Sequence, residues 1–219
     1  MELVVAVLIG IPAQVTVFAA MPFAWWLQAG RPDGSFLRWL GFRRAPARPD
    51  TATQFGLLFC GLGFFAGALL GGRPSWATSS SAAGWLVLAV ILTAVLQAAL
   101  SEELFFRGFL LRWLEQRLVP ATGDATQRQS RQLRRRLQHR GLIPTAANAI
   151  QAGACGLLRM AVQWLLLDRS LTACLAALAL GAGSAFLAGW VKQRSRSVLL
   201  PWAAHGAGNV VGTLIATLR

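Results

Sequence analysis

Long apolar runs separated by shorter polar segments dominate the sequence. The runs cover residues 3–27, 51–71, 84–100, 142–167, 171–191 and 198–218. Each is close to the ~20 residues that a helix needs to cross the hydrocarbon core of a bilayer. The pattern therefore predicts a polytopic helical membrane protein, with six crossings if 84–118 counts as one. Within the second run, Gly63-x-x-x-Gly67 predicts close helix packing inside the chain.

Composition agrees with this pattern. Hydrophobic residues make up 55% of the chain and charged residues only 13%, and the mean hydropathy is +0.52. Soluble domains carry about 25% charged residues. The runs and short loops use up nearly all of the 219 residues, so we expect a single transmembrane domain over 1–219. The first run has no basic segment before it and no small-residue cleavage site, which favours a retained span.

The net charge of +13 is unevenly distributed among the loops. Sixteen of the 21 lysine and arginine residues fall in the loops 28–50, 112–140 and 192–196, and three fall in the alternate set. The positive-inside rule then predicts an integral multi-pass protein whose basic loops are cytoplasmic and whose two ends lie outside. The arginine run at 128–140 has no interleaved aromatic residues, so membrane lipids are the expected partner and nucleic acid is not.

Ionised residues interrupt the apolar pattern at Glu102, Glu103 and Arg107. Such residues in a membrane segment are costly unless paired or solvated, and they mark candidate functional sites. Glu103 and Arg107 are spaced i, i+4 and can neutralise one another. Glu102 is turned about 100° away on a helix and can face a different neighbour. One carboxylate held by arginine and one left free is the arrangement that a general base needs.

His205 and Asn209 form a second i, i+4 pair, in the last run. The predicted topology puts His205 about 10 Å below the cytoplasmic end of its span, a depth compatible with that of Glu102. An imidazole and a carboxamide can donate hydrogen bonds to an oxyanion. We expect an all-α bundle of about six to eight helices around a polar intramembrane pocket that hydrolyses amides. The structural alternative is a polar lock that holds helices together.

These motifs resemble those of the CAAX-processing and bacteriocin-processing (abortive-infection type) intramembrane proteases. Glu102-Glu103-x-x-x-Arg107 resembles the first motif of that family, and His205-x-x-x-Asn209, preceded by Pro201, resembles the third. The similarity covers residues 85–219. It implies that Glu102 activates water, that Glu103 and Arg107 support it, and that His205 and Asn209 bind the oxyanion or position the water. It also favours the inner membrane of a bacterium.

The second motif departs from the family pattern of phenylalanine and histidine four residues apart. Its best counterpart here is Cys155 followed by Arg159. Arginine stays protonated, so it can neither accept a proton nor bind a metal. Arg159 would instead pair with Glu102 and weaken it as a base, or bind a substrate carboxylate or an oxyanion. No cofactor is predicted, and zinc is not favoured, because the runs contain one histidine and no HExxH or CxxC motif.

The sequence therefore predicts an intramembrane endopeptidase that uses a glutamate-activated water on a protein or peptide tail at the cytoplasmic side. A first alternative is a catalytically impaired family member that binds membrane peptides or a partner, as the arginine in the second motif suggests. A small transporter is a weaker alternative, since no inverted repeat is visible. The oligomeric state does not follow from the sequence.

Overall fold

The computed structural model describes residues 11–46, 48–71, 92, 95, 100–118, 144–165 and 168–218. Over these ranges the regular structure is helical and contains no strand, which confirms the all-α class. The elements are α1 (Ile11–Gln28), α2 (Phe36–Leu40), α3 (Thr51–Gly71), a π-helical segment (Glu103–Leu110), α4 (Leu111–Arg117), α5 (Ala146–Leu165), α6 (Leu171–Ser195) and α7 (Leu199–Leu218).

Two of the described helices, α3 and α6, are long and apolar enough to cross a membrane. Both leave large apolar side chains on the outside of the bundle; Phe55 and Phe59, for example, are each 56% exposed. Exposed apolar faces of this kind are typical of helices that face lipid. Helices α5 and α7 carry more polar residues, including Gln151, Arg159 and His205. The number of crossings remains a prediction, because most of 84–100 lies outside the described residues.

Where the structure describes them, helix bounds follow the hydrophobic runs to within one residue, with two larger differences. Helix α3 coincides with the predicted run 51–71. Helix α6 continues to Ser195, so Lys192 and Arg194 lie on a helix instead of in the predicted loop; the helix stops where Arg196 takes a left-handed conformation with φ of 57°. Helix α5 begins at Ala146, four residues after the predicted start of its run.

Glycines determine how closely the long helices approach. On α7, a Cβ at Gly208 would overlap the carbonyl oxygen of Gly61 on α3 and lie 3.0 Å from the backbone nitrogen of Phe65. On α3, a Cβ at Gly63 would overlap Ser184 of α6. The predicted packing role of Gly63 within the chain is thus confirmed. Helix α3 packs against both α6 and α7, and α6 packs in turn against α5.

The polar segment between α1 and α3 folds back onto the bundle. Gly41 ends α2 with φ of 97°, a conformation that favours glycine, and its carbonyl oxygen accepts a 3.0 Å bond from the backbone nitrogen of Val198. Trp39 and Leu40 are buried against the π-helical segment, so α2 is packed onto the bundle. Arg112 pairs with Asp33 at 3.0 Å.

These contacts bring parts of the three basic loops to one end of the bundle. At the other end, Arg169 Nη2 donates to the carbonyl oxygen of Gly71 at 3.2 Å. Parts of the basic loops thus lie together among the described residues, while the grouping of the whole loops and their side of the membrane remain predictions. An ion pair between Asp50 and Arg194 joins the start of α3 to the end of α6. The hydrogen bond from Arg194 holds the pKa of the Asp50 carboxyl well below its usual range.

We expect Gly208→Ala to destabilise the protein by about 1–3 kcal/mol, because an added Cβ forces two helix backbones apart. Gly153→Ala is the matched control, since a Cβ at that helical position meets nothing within 4 Å. Denaturant titration of the purified protein in detergent measures both. Equal stability of the two variants would contradict close α3–α7 packing.

Candidate active site

A fully buried ion pair forms the base of the candidate site. Glu103 and Arg107 lie on the π-helical segment, both side chains are 0% exposed, and Arg107 Nη1 is 3.2 Å from Glu103 Oε1. The segment is held in place by Leu104 and Phe109, which pack on α1 and α2, and by Phe106, which packs against α5 and α6. π-helical turns are rare and occur frequently at functional sites.

Helix α7 contributes His205 to the same pair. His205 Nδ1 lies 3.1 Å from Glu103 Oε1, and both side chains are fully buried. The imidazole also stacks on Phe64 of α3, with ring centroids 3.5 Å apart and planes 12° apart. Two groups separated by 102 residues are therefore in direct contact, so the clusters that the sequence placed at one depth do meet.

Glu102 faces a different environment from its neighbour. Its side chain is 13% exposed, and its two oxygens lie 3.1 and 2.9 Å from Arg159 Nη2 on α5. The same nitrogen is 3.1 Å from His205 Nε2. Cys155 Sγ, one turn earlier on α5, is 3.7 Å from Glu102 Oε2. The two second-motif counterparts, Cys155 and Arg159, thus both reach the carboxylate that the sequence analysis named as the base.

Residues 83–211, more than half of the chain, match the family model described as type II CAAX prenyl endopeptidase Rce1-like. The chain belongs to this Rce1-like family. The matched range contains every candidate site residue and extends across the whole Glu102–Arg159–His205 arrangement. The family is a membrane-embedded protease family. Comparison with curated proteins gave no match, and comparison with solved structures gave none.

The hydrogen bonds of the two ring nitrogens assign the tautomer of His205 in this Rce1-like site. Arginine has only donors, so Nε2 of His205 must accept from Arg159. The ring proton then sits on Nδ1 and is donated to Glu103 Oε1. In this arrangement both ring nitrogens of His205 are engaged, and the contact through Nδ1 orients Glu103. The role implied by the family resemblance, binding the oxyanion or positioning the water, stays a prediction.

Asn209 is placed near the cluster but not in it. The residue is 6% exposed and lies one turn after His205 on α7. Among the described residues, its side chain forms no hydrogen bond with Glu102, Glu103 or Arg159. Its amide N–H groups are thus not committed to the carboxylates within the described part of the chain. A role in binding an oxyanion stays a prediction.

The site residues that the structure describes do not fit a metal ion. In the described part of the chain, no three His, Cys, Asp or Glu side chains come close enough to hold one. The Nε2 lone pair of His205, which a metal would need, is taken by Arg159, and the guanidinium charge would repel a cation.

Sequence reasoning missed the residues that make room for Arg159. Its guanidinium carbon lies 4.9 Å from the ring centroid of Phe64. A Cβ at Gly181 of α6 would be 2.7 Å from Arg159 Cδ. Phenylalanine and glycine are common throughout this chain, so no local signal distinguishes these two positions. The π-helical register at Glu103 had no sequence signal either.

Removing Arg107 should strongly destabilise the fold. Arg107→Met leaves the Glu103 carboxylate fully buried with only neutral His205 beside it, so we expect the free energy of unfolding to fall by about 3–5 kcal/mol. Arg43→Met is the control, because Arg43 is 48% exposed and its pair with Asp33 lies at the surface; it should cost less than about 1 kcal/mol. Unfolding in detergent, followed by tryptophan fluorescence, compares the two. Similar losses would contradict the enclosed ion pair.

Proposed function

We propose that this chain is an intramembrane endopeptidase in which Glu102 activates a water molecule for attack on a peptide carbonyl. The observation that carries the proposal is the contrast between the two adjacent carboxylates. Glu103 is fully enclosed by Arg107 and His205, whereas Glu102 keeps 13% of its side chain accessible. An accessible carboxylate can take a proton from water, and an enclosed one cannot reach a substrate.

The reaction adds one water across the peptide bond. Glu102 accepts a proton as the water oxygen bonds to the carbonyl carbon, and the carbonyl oxygen becomes an oxyanion. The Glu102 proton then passes to the leaving nitrogen as the C–N bond breaks, which restores the carboxylate. Arg159, whose Nη2 lies 2.9 Å from Glu102, is a donor near this position, and His205 holds Glu103 in place. Asn209, one turn after His205, is the second donor in this proposal.

The substrate in this proposal is a protein or peptide tail presented at the cytoplasmic leaflet of a bacterial inner membrane. The 16-to-3 distribution of basic residues between the two sets of loops supports the side. The contacts of Gly41 with Val198 and of Arg112 with Asp33 bring parts of those basic loops to one end of the bundle. The family description names a prenyl endopeptidase of CAAX tails, so a farnesylated CAAX peptide is the first substrate to test.

Glu102→Gln should lower kcat by about 10²–10⁴-fold, because the amide cannot take the water proton. The assay uses the purified full chain in proteoliposomes with an internally quenched farnesylated CAAX peptide and its unprenylated twin. Glu115→Gln is the control, since Glu115 is an acid outside the site that accepts from Gln193. Equal cleavage of either peptide by wild type and Glu102→Gln would refute the proposal.

A second candidate is a catalytically impaired family member that binds membrane peptides or a partner. The observation that favours it is the ion pair of Arg159 with both oxygens of Glu102. An arginine that holds the base in this way competes with the water that the base must activate. Under this hypothesis the wild-type chain binds the farnesylated peptide without cleaving it.

Arg159→His separates the two candidates, because histidine is the residue expected in the second motif. If the chain is an impaired enzyme, the wild type is inactive and the variant gains cleavage of the quenched peptide. If it is a working enzyme, the wild type cleaves and the variant gains nothing. Peptide binding, measured by fluorescence anisotropy, is compared in parallel. Cleavage by the wild type would by itself exclude the second candidate.

A further inference from the structure

We propose that Arg159 is a positioning residue built into this site, which holds Glu102 and His205 in their working orientations in place of the missing second-motif imidazole. The inference rests on the proposed glutamate-dependent hydrolysis and adds a residue to it. The inference predicts that peptide cleavage requires Arg159, whereas the impaired-enzyme hypothesis predicts that Arg159 prevents cleavage.

The contacts of a single nitrogen carry the proposal. Arg159 Nη2 lies 3.1 and 2.9 Å from the two oxygens of Glu102 and 3.1 Å from His205 Nε2. One charged donor therefore joins the carboxylate on one element to the imidazole on another. Because arginine cannot give up its proton, this donor stays in place when Glu102 gains and loses one.

Helix α6 leaves room for the arginine side chain. A Cβ at Gly181 would lie 2.7 Å from Arg159 Cδ and 3.3 Å from the Cα of Gly156. Glycine in a helix interior is less favourable than alanine, yet α6 carries glycine where the Arg159 side chain passes. By contrast, a Cβ at Gly183, also on α6, meets nothing within 4 Å.

Arg159 also determines the hydrogen-bonding state of His205. Its donor occupies Nε2 and leaves the proton on Nδ1, where Glu103 accepts it. The order Arg107, Glu103, His205, Arg159, Glu102 is thus a continuous chain of contacts. Loss of the arginine would free Nε2 of His205 and leave Glu102 without its ion pair. The side chains of His205 and Glu102 would then both reorient.

A positioning role makes a specific kinetic prediction. Arg159→Met should lower kcat on the farnesylated CAAX peptide by about 100-fold with KM unchanged, as expected when a reacting group is displaced by about 1 Å. Because all three contacts come from one nitrogen, Arg159→Lys should restore part of the rate. If Arg159 instead binds a substrate carboxylate, Arg159→Met raises KM, and this result would overturn the proposal.

Two glycine variants test the same point without removing the arginine. Gly181→Ala pushes against Arg159 Cδ and should lower kcat, whereas Gly183→Ala, on the same helix, should not. Both change one helical glycine to alanine, so a general effect on helix stability is shared. Equal rates for the two variants would contradict a space fitted to Arg159.

A spectroscopic measurement decides the inference independently of cleavage. The chain contains only two histidines, His139 and His205. NMR of the ¹⁵N-histidine-labelled protein in micelles therefore shows the ring nitrogens of two side chains, and His139→Gln identifies which signals belong to His205. Wild-type His205 should show a protonated Nδ1 and an unprotonated, hydrogen-bonded Nε2. The Nε2 signal should shift in Arg159→Met and Gly181→Ala but not in Gly183→Ala. An unchanged signal in Arg159→Met would overturn the proposal.

The outcomes also separate this inference from the proposed function. If Glu102→Gln cleaves as well as wild type, the glutamate mechanism is refuted, and the histidine signal still shows whether Arg159 holds His205. If Glu102→Gln is inactive and Arg159→Met retains wild-type kcat, the mechanism stands and the positioning role is refuted.

Discussion

The enclosed contact of Glu103 with Arg107 and His205 is the constraint on which the rest of the site depends. An ionised carboxylate away from water is strongly unfavourable unless charged and hydrogen-bonding groups surround it. Here those groups come from the π-helical segment and from α7, so pairing them fixes the two elements against each other. Helix α3 closes the arrangement with Phe64, which stacks on the imidazole.

The same network links stability to chemistry. Glu102 and Glu103 are adjacent in sequence, yet one is paired inside the protein and the other meets Arg159 with part of its surface accessible. Arg159 joins the two through His205. Because each group is held by the next, a substitution at one position alters the partners of the others. Their effects should therefore be non-additive, as is usual for residues in one hydrogen-bond network.

Much of this site could be predicted from the sequence. Charged residues inside apolar runs are rare enough to be informative, and the spacing of Glu102, Glu103 and Arg107, with His205 at a matching depth, identified the groups that meet. The sequence did not predict Phe64 or Gly181 as neighbours of Arg159, because residues of these types occur throughout an apolar chain. It also left open whether Arg159 would face Glu102 or a substrate.

The hydrophobic pattern by itself determined the helical class and the bounds of α3, since burial in lipid and the helical repeat act locally along the chain. Only the tertiary structure decided which nitrogen meets which oxygen. Those contacts join residues as far apart as Glu103 and His205, 102 positions along the chain. Their geometry depends on helix approach and on a π-helical turn, neither of which local sequence specifies. Hence the sequence identified the site residues, but it did not predict which ring nitrogen of His205 carries the proton or that Glu102 pairs with Arg159.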